Sequence, residues 1–115
     1  ILDPAIQLVA TCVRVPVFIG HAVAAHVEFE NALDRLQATK LLRQASGVRV
    51  IDNPDDYLFA TPIEVAGDDL VYVSRIREDK SVSHGLSLWI AADNIRKGAA
   101  LNAVQIIEKL IESHL

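Results

Sequence analysis

Methionine is missing from the 115 residues and cysteine occurs once. Without a methionine there is no initiator, so the sequence is expected to be a processed product or, the favoured reading, a piece of a longer polypeptide. One cysteine makes no internal disulfide and suits a reducing compartment, so a cytoplasmic location is expected. Aromatic residues are only 5% of the chain while 51% is hydrophobic, which leaves Val, Ile, Leu and Ala to build a core. Basic residues are outnumbered and the net charge is −4, so no cationic face is expected for nucleic acid or an anionic membrane. No apolar run approaches the roughly 18 residues that span a bilayer, and the opening does not read as a signal peptide. The five glycines stand singly, so neither GxGxxG nor a P-loop cradles a nucleotide pyrophosphate.

What is present is one domain's worth of chain, long enough to bury roughly two thirds of its unfolded surface. Its chemistry is concentrated in Cys12-Val-Arg-Val-Pro-Val-Phe-Ile-Gly-His21. Arg14 and His21 stand seven residues apart in an otherwise apolar stretch, where an unpartnered guanidinium or imidazole is unfavourable by roughly several kcal/mol. One reading has Arg14 grip a substrate carboxylate with its two-pronged donor fork while His21 moves protons near neutral pH. The other has Arg14 pair with an Asp or Glu across a sheet and His21 cap the following strand. Residues an odd number apart in an unbroken strand face opposite sides. The two therefore converge only if the backbone bends, and Pro16 and Gly20 are where a bend belongs.

Around this stretch the pattern alternates strands and helices. Ile1–Ala5 is a short lead-in with Pro4 opening a turn. Ile6–Val15 reads as a central strand covered on both faces, with Cys12 as a small buried hydrophobe rather than a nucleophile. His21–Glu30 alternates as a half-buried strand, which puts His21 and His26 on opposite sides, so zinc ligation by the pair, and a metal site generally, is not expected. Asn31 is a helix N-cap for Ala32–Ala45, with Leu33, Leu36, Leu41 and Leu42 as core candidates and Gly47 ending it. Val48–Asp52 is a short strand, Asn53-Pro-Asp-Asp56 a turn, and Tyr57–Ala60 briefly extended before Thr61-Pro62. Leu70–Arg77 is a strand with Val71, Val73, Arg75 and Arg77 on one side; its arginines read either as a solubilising face or as an anionic-ligand patch. Leu86–Ala92 reads as a second central strand. Asp93-Asn94 caps a helix over Ile95–Glu112 whose apolar stripe runs through Ile95, Ala99, Ala103, Ile106, Ile107 and Leu110. Gly98, Ala99 and Ala100 in its first turns leave room for a backbone or a ligand, and its N-terminus attracts anions. The expected class is α+β: at least five strands in a mostly antiparallel or mixed sheet, with two main helices.

Thr11–His21, His26-Val-Glu-Phe-Glu30, Thr61-Pro62, Val71–Asp79 and Gly85–Gln105 together resemble the C-terminal half of the aspartate-semialdehyde dehydrogenase family. The resemblance covers nearly the whole chain and makes residues 1–115 the C-terminal portion of a dimerisation and substrate domain, without its dinucleotide-binding domain. It implies a fold like the C-terminal domain of glyceraldehyde-3-phosphate dehydrogenase. It also implies the NADPH-dependent reduction of β-aspartyl phosphate to aspartate semialdehyde, at the branch point of lysine, threonine and methionine synthesis. By position Arg14 corresponds to the arginine that binds the substrate carboxylate, His21 to the acid/base histidine and Asn94 to a cofactor contact, and a homodimer is implied. The family's nucleophilic cysteine lies upstream of the present residues, so Cys12 is not that group and the chain alone is expected to be inactive. Ala22-Val23 stand where the family usually carries polar residues. A non-catalytic dimerisation or binding module, and a reductase for another acyl phosphate or acyl thioester, are the alternative readings.

Overall fold

Gly85–Ala92 is apolar on both sides because it lies in the middle of a sheet. In the computed structural model, which describes residues 3–114, four strands run in the order β1 (His21–Glu28), β6 (Gly85–Ala92), β5 (Val71–Asp79) and β2 (Val48–Val50). β1 and β5 flank β6 antiparallel, and β2 joins β5 in parallel. A two-stranded ribbon, β3 (Asp52–Asn53) with β4 (Leu58–Phe59), sits beside β5. The class is α+β with a mixed sheet, as the sequence predicts.

Each face of the sheet carries its own small core. On one face Val73, Ile76 and Leu86 meet Ala38 of α1 (Arg35–Gln44), with Leu33, Leu42, Val48 and Val50 around them. On the other, Tyr72 and Ala91 meet Ala60 and Val65, the latter from the single turn α2 (Pro62–Val65). Ile76 and Leu86 are fully buried, and each contributes about 1.5–3 kcal/mol of apolar transfer. Ala60 is held at both ends of its peptide group. Its N–H donates to Ser74 Oγ (2.9 Å), and its carbonyl accepts from Trp89 Nε1 (2.8 Å).

The alternation expected for Leu70–Arg77 breaks at Arg75, which sits at φ 51° in a bulge between Ser74 and Arg77. The displaced amides of Arg75 and Ile76 donate to the two carboxylate oxygens of Asp52, at 2.8 and 3.1 Å. Ile76 thereby turns into the core while Arg75 and Arg77 stay outside.

Several sequence-based expectations are corrected. Ile6–Val15 is not a strand. It is irregular and exposed, with Val9 at 95%, and Cys12 is exposed with it rather than buried. β-branched composition does not suffice: a strand needs a neighbour to take its peptide groups, and none of the four strands pairs with this segment. Asp34, not Asn31, caps α1. It accepts from Gln37 N–H at 2.8 Å while Gln37 Oε1 accepts from Asp34 N–H, a reciprocal box that starts the helix three residues later than expected. Leu36 and Leu41 consequently face outward. The last helix opens with a π-helical turn, Arg96–Ala100, and continues as α3 (Leu101–His114). Its expected apolar stripe is present but uncovered: Ile95, Ile106, Ile107 and Leu110 are each more than half exposed. Ile1 and Leu2 of the expected lead-in lie outside the described residues; Asp3–Ala5 forms a turn in which Asp3 Oδ1 accepts from Ala5 N–H. Among the described residues no helix is long and apolar enough to cross a membrane.

Candidate active-site corner

The segment carrying Arg14 bends where the residue types require. Val17 N–H reaches back to the Val15 carbonyl at 2.9 Å around Pro16, a three-residue turn. Four residues further on, Gly20 takes φ +84°, a conformation with little steric penalty only for glycine. Gly20 is buried against Pro62; a Cβ there would stand 3.1 Å from the Pro62 carbonyl oxygen and 3.2 Å from its Cβ. β1 then begins at His21, opposite Ala92 of β6.

Three anchors fix this corner. Thr61 caps α2 through a reciprocal box with Glu64, whose carboxyl is held below its ordinary range chiefly by the Thr61 hydroxyl. Upstream of it, Ala60 is clamped to β5 and β6 as described, so Pro62 is a rigid wall for Gly20. Asp93 follows β6: its Oδ2 accepts from Gly67 N–H (2.8 Å), and its Oδ1 from Ile95 N–H (2.9 Å) and Arg96 N–H (3.2 Å). The Gly67 bond foremost, with the two helix amides, holds the Asp93 carboxyl below the usual carboxylate range. The next residue, Asn94, accepts the Gly20 N–H on its Oδ1 at 3.0 Å. Asn94 is thus tied to the residue immediately before His21.

His21 and Asn94 therefore share one corner at the β6-to-helix junction. His21 is exposed, as is Arg14 on the bent segment before it. Among the described residues neither forms an ion pair, so the carboxylate partner that the alternative reading of Arg14 requires is not found there. His26 lies on the opposite side of β1, its Nδ1 2.9 Å from Ser87 Oγ and 3.8 Å from Asp79. Sequence reasoning placed a bend at Gly20 and a cap at Asp93-Asn94 but did not join the two, and it missed Pro62 as the wall against which Gly20 packs. For Pro62 the Thr61-Pro-Ile-Glu64 capping pattern was the local signal available.

Residues 1–97 match the family described as semialdehyde dehydrogenase, dimerisation domain. The chain belongs to that family. Aspartate-semialdehyde dehydrogenase of Rickettsia bellii is 45% identical over the whole of this chain, and that of Aquifex aeolicus 49% identical over 98% of it. The chain spans about a third of the length of these relatives, 34% and 33% respectively. Among solved structures, aspartate semialdehyde dehydrogenase II from Vibrio cholerae, complexed with ASA, superposes with a TM-score of 0.84 at 46% identity. That match covers 91% of this chain and 31% of the other. The likeness to a semialdehyde dehydrogenase dimerisation domain therefore holds in sequence and in fold.

Proposed function

We propose that the chain is the substrate-binding and dimerisation portion of an aspartate-semialdehyde dehydrogenase that uses NADPH and acts in cytoplasmic amino-acid biosynthesis towards lysine, threonine and methionine. The observation that supports this best is the Gly20–Asn94 hydrogen bond, which holds His21 and the start of the last helix in one corner. In this reading Arg14 binds the carboxylate of β-aspartyl phosphate or aspartate semialdehyde with paired N–H donors. His21 takes up or releases the proton at the reacting oxygen and sulfur, the role an imidazole fills near neutral pH. NADPH supplies the hydride when bound. Asn94, exposed beside Gly98 and the small residues Ala99 and Ala100, fits a contact to it, while the bulk of the cofactor would be held by a separate dinucleotide-binding domain. A homodimer follows from the same reading. The uncovered apolar side chains of residues 6–19 and of α3 are more than a small soluble domain usually leaves bare.

The test is kinetic, on the protein expressed from its own gene. Arg14→Lys should raise KM for the semialdehyde and lower turnover, because one ammonium does not reproduce a forked contact. His21→Asn should lower kcat by roughly 10²-fold or more and flatten one limb of the pH–rate profile. Unchanged kinetics in Arg14→Lys, or a profile of unaltered shape in His21→Asn, would remove that residue from the site. Absence of NADPH-dependent turnover in the unmutated protein would favour a non-catalytic module.

A further inference from the structure

A cleft of about 330 Å³ opens where the β3–β4 ribbon meets β5 and α1, and none of Arg14, His21 or Asn94 lines it. Its charged lining is unbalanced: Arg35, Arg75 and Arg77 face a single carboxylate, Asp52. That carboxylate is already engaged by the amides of Arg75 and Ile76 and by Arg35 at 3.5 Å. Arg77 is exposed and, among the described residues, forms no ion pair. The Arg75 guanidinium lies over the Phe59 ring at 5.5 Å, which orients its fork without neutralising it. Tyr57, largely exposed, lines the cleft with Phe59.

A second observation points to the same place. Among the described residues the non-glycine positions with positive φ are Tyr57 (54°) and Arg75 (51°), and both line this cleft. Left-handed backbone at bulky residues persists only where the surroundings enforce it, and such sites collect at ligand clamps. At Arg75 the enforcing group is Asp52, which binds the bulge amides and fixes the strand from which Arg75 reaches over Phe59.

We propose that this cleft binds a small organic anion, an oxyanion group carried on a flat or apolar body. Arg75 and Arg77 take the oxyanion, Tyr57 and Phe59 take the body, and Asp52 is the positioning residue that holds the bulge. A volume near 330 Å³ is at the lower end of small-molecule sites, which suits a single ring or a short chain. The proposal does not depend on the reading of the His21 corner.

Amide and arginine Nε–H spectra of the ¹⁵N-labelled protein, expressed from its own gene, test it with four probes: phenyl phosphate, benzoate, inorganic phosphate and the neutral benzamide. Phenyl phosphate and benzoate should give saturable shifts at Arg75, Ile76 and Arg77, inorganic phosphate weaker ones, and benzamide none. Arg77→Gln, a change at an exposed side chain, should weaken phenyl phosphate binding about tenfold, the loss expected for one charge-assisted contact. Asp52→Asn should weaken it too, through the bulge. Equal shifts with benzamide, full affinity in Arg77→Gln, or silent cleft signals because another segment or a partner's side chain occupies the cleft would each overturn the assignment.

Discussion

Gly20 donates its backbone N–H to the side-chain oxygen of Asn94 across 74 positions of sequence, at 3.0 Å. The bond joins the end of the Arg14-bearing segment to the turn that leads into the last helix. Because Asp93 has its carboxylate engaged by Gly67, Ile95 and Arg96, Asn94 is presented from a fixed frame. The position of His21 thus depends on the β6-to-helix junction as much as on its own strand.

Gly20→Ala should be severely destabilising for its size. The new methyl group meets the Pro62 backbone at 3.1 Å, and alanine at φ +84° pays the left-handed penalty as well. A loss of about 1–3 kcal/mol is expected from strain of this kind. Urea unfolding measures it; a midpoint shift smaller than that of Gly47→Ala, which has positive φ but open space around it, would show that the Pro62 contact is not tight.

Ser74→Ala removes the acceptor for the fully buried Ala60 N–H without creating a large cavity. Leaving a buried amide unpaired costs about 1–3 kcal/mol. Thermal unfolding should register that loss, whereas Ser81→Ala, on the exposed loop after β5, should fall within about 0.5 kcal/mol. Equal effects of the two substitutions would mean that water reaches Ala60.

Residue type alone made much of this legible. Val71-Tyr-Val and Leu86–Ala92 are strands wherever two faces are covered, and Pro16 and Gly20 mark the bend before His21. The cap of α1 falls at Asp34 and not at the expected Asn31, because the Gln37 side chain, three residues after Asp34, closes a reciprocal box there. The roles of Arg14, His21 and Asn94 came from family resemblance, since spacing alone favoured a structural role for Arg14 and His21. Hidden from any local reading was whatever depends on distant partners. The Arg75 bulge is set by Asp52, 23 residues earlier, and the Gly20 corner by Pro62 and Asn94. Residues 6–15 failed in the opposite direction, having strand composition but no strand beside them.

Asp52→Ala should destabilise through three lost contacts at once: the Arg75 and Ile76 amides and the Arg35 guanidinium. The Asp52 side chain is only 4% exposed, so water replaces little of what is removed, and about 2–4 kcal/mol is expected for two unpaired amides with partial relaxation. Amide exchange at Ile76 should accelerate well beyond that at Val73 on the same strand. If the two exchange alike, the bulge is held by the ladder and not by the carboxylate.

Asp93 makes acid sensitivity predictable in sign. Its folded carboxyl lies below its ordinary range, principally because Gly67 N–H donates to the ionised form. A depressed folded value means that its contribution is fully present above the unfolded carboxyl pKa, about 3.9, and is lost as pH falls through the folded value. Asp68 and Asp79 are shifted the same way by hydrogen bonds from Tyr72 and Ser81, so the protein as a whole should lose stability below about pH 4. Asp93→Asn isolates one share of this. An amide offers its oxygen to only one side of the site and turns N–H towards either Gly67 or the helix amides, so the variant should be less stable than the parent at pH 7. That gap should narrow at about pH 3, which lies below the unfolded carboxyl value of about 3.9 and on the way down to the lower folded one. Urea midpoints at the two pH values measure it. A gap independent of pH would mean that Asp93 acts through shape and not through its charge.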